Sequence, residues 1–168
     1  MKHDEVDALV PRWQSMDMSP SLIASLELSK RMSRLNLLFE TAVKAELAEL
    51  GLTYAEFDVL AALARTGPPH RLKPSELSKS LLLTSGGTSN VLQRLTAAGY
   101  VEREANPGDA RSRWVQLTPD GLRLANTALV ASGKAHDEAM AGVPEEAIRE
   151  AADALREILA TVGRRRFR

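Results

Sequence analysis

The stretch from Leu72 to Leu117 leaves few folds open, because a short helical segment, a turn, a second helical segment and an alternating ribbon follow one another there without a linker. Leu77 and Leu81 mark the first helix, which Pro74 opens; Lys73 is a poor capping residue, so a weak start is expected. The second helix should begin near Thr84 or Ser85, whose hydroxyls suit the free amides of a first turn, and stop at Gly99. Within it Thr88, Val91, Leu92 and Leu95 fall at i, i+3, i+4 and i+7 and form one apolar face. Val101, Arg103 and Ala105 then alternate with Glu102 and Glu104, turn chemistry follows at Asn106, Pro107, Gly108 and Asp109, and Arg113, Val115 and Leu117 resume the alternation. This predicts a hairpin with its loop at 106–112 and, with Leu72 as a short first strand, a winged helix-turn-helix.

The outer face of the second helix carries Ser85, Gly86, Ser89, Asn90, Gln93 and Arg94, and no acid occurs from Leu77 to Val101. Small residues let a backbone approach a major groove, and Asn, Gln and Arg can pair with base edges. A merely solvated face would mix both signs of charge. At the hairpin tip Asp109 can hold one arginine fork while Arg111 or Arg113 reaches a minor groove or a phosphate; the alternative is an ordinary polar tip.

Net charge gives no hint of this, since 22 basic residues balance 22 acidic ones. Its distribution does: Arg65 to Arg113 holds eight Lys or Arg against four acids. The terminal Arg164, Arg165, Arg166 and Arg168 either touch DNA flanks or form a solvated tail. With no cysteine, disulfides, zinc–cysteine sites and thiol sensing are excluded, and His3, His70 and His136 stand without ligand spacing. No cofactor or metal is expected. Met1 to Val10 lacks an apolar signal region and no apolar run reaches membrane length, so a cytoplasmic protein is expected.

The 168 residues suit one compact subunit that is mainly α. Residues Asp4 to Trp13 predict a short helix, and Ser21 opens a long one through Leu50. Thr53 and Glu56 predict a capping box for a helix to about Arg65, in which Asp58 is an oddity among Phe57, Val59 and Leu60. After the ribbon, Thr118 and Pro119 start a helix toward Met140, and a last helix aligns Ile148, Ala151, Leu155, Ile158, Leu159 and Val162 in one apolar stripe. Nothing else in the chain is available to cover that stripe. The expected division is therefore 1–50 and 121–168 as N- and C-terminal dimerisation helices around a winged helix-turn-helix at 51–120, in a two-fold dimer.

The ordered series Leu52-Thr53, Glu56-Phe57-Asp58-Val59-Leu60, Ser75-Glu76-Leu77, Arg94-Leu95, Gly99-Tyr100-Val101-Glu102-Arg103, Asp109-Ala110-Arg111 and Leu117-Thr118-Pro119 with Gly121 resembles the MarR family of bacterial transcriptional regulators, over roughly residues 20–163. The resemblance implies a helical homodimer that binds a pseudo-palindromic double-stranded operator, commonly as a repressor, and is released by a small anionic or phenolic effector. It adds Ser75 to the expected DNA contacts. Trp13, Asp58 and Arg103 are similar to the urate- and trans-aconitate-responsive branch, the HucR-like and TamR-like proteins, where urate-responsive members would have an arginine in place of Val91. Trp13, Asp58, Val91 and Arg103 are thus the implied ligand set. Arg103 has the inward parity of Val101, so an ion pair with Asp58 is expected; the plainer reading makes Trp13 core and Asp58 a structural acid.

A constitutive or architectural DNA-binding protein without an effector is the competing reading. An enzyme is not expected: there is no nucleophile–base pair, and Ser85-Gly86-Gly87 lacks the lysine of a phosphate-binding loop.

Overall fold

The computed structural model describes residues 3–81, 85–105 and 113–163. In chain order it contains α1 (Val10–Ser15), α2 (Pro20–Glu49), α3 (Tyr54–Arg65), β1 (Arg71–Leu72), α4 (Pro74–Ser80), α5 (Ser85–Ala97), β2 (Val101–Ala105), β3 (Arg113–Leu117), α6 (Pro119–Ala139) and α7 (Glu145–Val162). The mainly α class and the winged arrangement are as the sequence predicts. The three strands form one antiparallel sheet in the order β1-β3-β2, with Leu72 opposite Val115 and Arg103 opposite Val115 on the other side.

Local chemistry sets most boundaries. Ser19 accepts the amide of Leu22, and Pro20 presets the first helical φ, so α2 opens slightly before the expected Ser21. Thr53 and Glu56 complete the expected capping box on α3. At α4 Lys73 supplies no side-chain cap, but the Glu76 carboxylate accepts the Lys73 amide at 2.8 Å, which is half of such a box. The helix expected over Asp4 to Trp13 is confined to Val10–Ser15. Upstream, the Asp4 carboxylate accepts the amides of Val6 and Asp7 and holds the backbone in turns, while Arg31 of α2 clasps Asp4, Asp7 and Glu27.

The core lies where α2, α3 and α6 meet the reading head. Val43 and Leu47 of α2 meet Phe57, Val59, Leu60 and Leu63 of α3, and Leu77, Leu92, Leu95, Val101 and Val115 continue the same cluster into the winged unit. Gly121, Ala125, Ala128, Ser132 and Ala135 make a buried small-residue seam on α6, which lets α2 and α3 approach it closely. By contrast α7 buries no residue and shares no substantial packing with another element. Its expected stripe is present and uncovered, with Leu159 62% exposed.

Candidate nucleic-acid interface

Helix α5 is held by its inner face and presents its outer one. Val91, Leu92 and Leu95 are buried with Thr88, whose hydroxyl accepts a 3.0 Å hydrogen bond from Ser78 and so ties α5 to α4. Ser89, Asn90 and Gln93 are exposed on the other side and have no side-chain hydrogen bond among the described residues. Three uncommitted polar side chains on a rigidly seated helix can read base edges without first breaking a contact. Ser75 is exposed in the first turn of α4, and Arg113 is exposed where β3 begins. The structure therefore brings Ser75, Ser89, Asn90, Gln93 and Arg113 to the surface of one unit. Asp109 and Arg111 lie outside the described residues, as do the expected cap Thr84 and the terminal arginines; the side chain of Ser85 is likewise not described.

Arg94, expected on the groove face, is exposed and is also tied to α3. Its Nε donates to Glu56 Oε1 at 2.8 Å, which latches α5 to α3. The other Glu56 oxygen accepts the Thr53 amide at 2.8 Å and the Thr53 hydroxyl at 2.7 Å. Burial pushes the Glu56 carboxyl up, but the Thr53 amide and hydroxyl and the Arg94 guanidinium outweigh it and hold the group below the usual carboxylate range. The capping box was legible in the sequence. That its acid had a second oxygen to spare for α5 was not.

The expected ligand set does not assemble within the subunit. Arg103 keeps the parity of Val101 and lies opposite buried Val115, but β2 is an edge strand of the sheet and the Arg103 side chain is exposed. It lines an open groove of about 580 Å³ with Ser89, Gln93, Thr96 and Ala97. No ion pair joins it to Asp58. Asp58 is half-buried on α3, where burial raises its carboxyl above the ordinary range and Arg65 only partly opposes the rise. Val91 is 5% exposed and belongs to the core, where it faces away from the groove of Arg103. Trp13 is half-buried on α1. Alternation gives the direction of a side chain but not the depth of the core behind it, and this is why the Arg103–Asp58 pair fails.

Sequence reasoning also missed a cluster on the outer face of the sheet. The Arg71 guanidinium lies 4.9 Å and the Lys73 ammonium 5.4 Å from the centre of the Trp114 ring. Arg71 also pairs with Glu104 at 3.2 Å. The signal was available in the strand parity that puts Trp114 on the face opposite Val115.

These features define a winged-helix DNA-binding protein. The MarR family profile matches residues 50–112. The HTH-type transcriptional regulator PecS of Dickeya dadantii is 32% identical over 126 residues, covering 73% of this chain and 73% of that protein. The multiple antibiotic resistance protein MarR of Salmonella typhimurium is 37% identical over 78 residues, 46% of this chain and 52% of that one. Among solved structures, a cysteine-to-serine variant of E. coli MarR complexed with operator DNA superposes with a TM-score of 0.72 at 25% identity, over 84% of this chain and 99% of that chain. The chain belongs to the MarR family and is a DNA-binding transcriptional regulator, not an enzyme.

Proposed function

We propose that this regulator binds a pseudo-palindromic operator as a homodimer, represses from it, and is released by a small anionic or phenolic effector. In this reading 1–50 and 121–168 form the dimer body and 51–120 the reading head. Ser75, Ser85, Ser89, Asn90 and Gln93 meet the DNA, the wing adds Asp109, Arg111 and Arg113, and Arg94 sets the angle of α5. The observation that carries the effector is that Ser89 and Gln93 belong both to the exposed face of α5 and to the groove of Arg103. An anion held by the Arg103 guanidinium would occupy space beside the reading face, so effector and operator compete. About 3 kcal/mol of differential binding changes operator affinity roughly a hundredfold.

The likeness to the urate- and trans-aconitate-responsive branch then rests on Trp13 and Arg103, without Asp58 and Val91. A single guanidinium in a groove otherwise lined by Ser89, Gln93, Thr96 and Ala97 suits an effector with one anionic end and a less polar body. Operator selection followed by footprinting tests the reading. It should return an inverted repeat with half-site centres about 10 base pairs apart or a multiple of that turn. Small aromatic carboxylates should release the operator from the parent protein and fail to do so from Arg103→Ala. A parent that no anion releases would leave a constitutive DNA-binding protein.

A further inference from the structure

The cluster around Trp114 is not accounted for by base reading or by effector binding. Val115 is fully buried, so the neighbouring Trp114 and Gln116 stand on the outer face of the sheet. The β1–β3 register sets Arg71 opposite Gln116 and Leu72 opposite Val115. The next residue, Lys73, is then level with Trp114 and one step nearer the wing tip. Both cations lie over the same indole, but they are not equivalent. Arg71 is neutralised by Glu104, whereas Lys73 has no ion pair among the described residues. Its backbone amide is already taken by Glu76, which fixes the stem.

A lysine free in solvent loses rotamer entropy when it is immobilised. A lysine already resting on an aromatic face has lost part of that freedom beforehand, and the neutral ring leaves its charge uncompensated. Lys73 directly precedes α4, whose first turn carries exposed Ser75, while Arg113 has the parity of Val115 and belongs to the other face of the sheet. A hydroxyl donor and an ammonium without an ion pair among the described residues, at the start of the helix that precedes α5, suit the backbone of a duplex docked on α5 rather than a compact ligand.

We infer that Trp114 is a platform that holds Lys73 as a clamp on an operator phosphodiester, flanking the bases met by α5. The inference rests on the reading above, in which α5 and the wing dock on one operator. Trp114 acts as a positioning residue, and Lys73 makes the contact.

The test is operator binding over a salt series with the full-length parent, Lys73→Ala, Trp114→Phe and Trp114→Leu. Lys73→Ala should weaken binding about tenfold at moderate salt and lower the slope of log K against log salt by about two per dimer. Trp114→Leu should reproduce that loss with Lys73 intact, and Trp114→Phe should restore most of it. In a Trp13→Phe background Trp114 is the sole tryptophan, and its emission should change on operator addition. A parental slope in Lys73→Ala overturns the clamp. Loss in Lys73→Ala with a parental slope in Trp114→Leu overturns the platform. Should Trp114→Leu not fold, the Lys73→Ala slope and Trp114 emission decide the matter. A parent whose operator binding is indifferent to salt would instead sink the docking reading, which separates the two failures.

Discussion

Arg94 and Glu56 join the recognition helix to the helix behind it through a single hydrogen bond of 2.8 Å. Glu56 is only 12% exposed in its side chain, whereas Arg94 is 55% exposed. The acid is therefore the fixed end of the latch, and the arginine is the end that adjusts.

Glu56→Gln should consequently lower operator affinity although Glu56 touches no base, because α5 loses its charged anchor. The folded-state pKa of Glu56 lies below the 4.5 of an ordinary glutamate, so its stabilisation is complete above pH 4.5 and is lost as pH falls through the folded value. Thermal melts of parent and Glu56→Gln should differ at neutral pH and converge on acidification. Melts that stay parallel through that range would mean the latch is energetically silent.

Asp58 carries the opposite sign. Burial raises its carboxyl above the 3.8 of an ordinary aspartate, so the native state favours the protonated form. That preference is fully present below pH 3.8 and is lost as pH rises through the folded value, which leaves at neutral pH a half-buried charge that Arg65 only partly offsets. Asp58→Asn should therefore raise the melting temperature at pH 7 and leave effector release intact. A lower melting temperature would restore an ion pair for this residue.

Gly121 sits where no side chain fits. A Cβ built there would lie 1.9 Å from the carbonyl oxygen of Tyr100. The same oxygen accepts the Thr118 amide at 3.1 Å, so it cannot retreat without undoing the strand-to-helix corner. Gly121→Ala should cost about 3 kcal/mol in chemical denaturation, at the upper end of overpacking effects. Parental stability would show that the corner can open.

The uncovered stripe of α7 gives the most direct test of assembly. Charged residues in place of Leu155 and Leu159 should halve the mass seen by light scattering and abolish tight operator binding together. An intact dimer would place the subunit interface elsewhere.

The sequence disclosed what depends on neighbours along the chain. Caps at Thr53 and Thr118, the inward row of Thr88, Val91, Leu92 and Leu95, and both strands of the wing follow from periodicity and turn chemistry. What escaped it depends on distance through space. Arg103 alternates correctly yet stands exposed on the edge strand, and Asp58 is half-buried with Arg65, not Arg103, as the guanidinium that acts on it. Arg94 reads as a groove residue on a helical projection because a projection contains one helix, while Glu56 belongs to another. The first helix is shorter than periodicity predicts because Asp4 and Asp7 can satisfy turns as readily as a helix, and Arg31 decides between them.

The isolation of α7 makes its folding a matter of mass action. An amphipathic helix draws most of its stability from packing of its apolar face, so the order of α7 depends on whatever meets the stripe of Ile148, Leu155 and Leu159. If that partner is a second subunit, dilution melts α7 and dismantles the DNA-binding species in one step. Operator occupancy then rises with the square of subunit concentration, and the abundance of the chain becomes a control on the promoter as real as any small molecule.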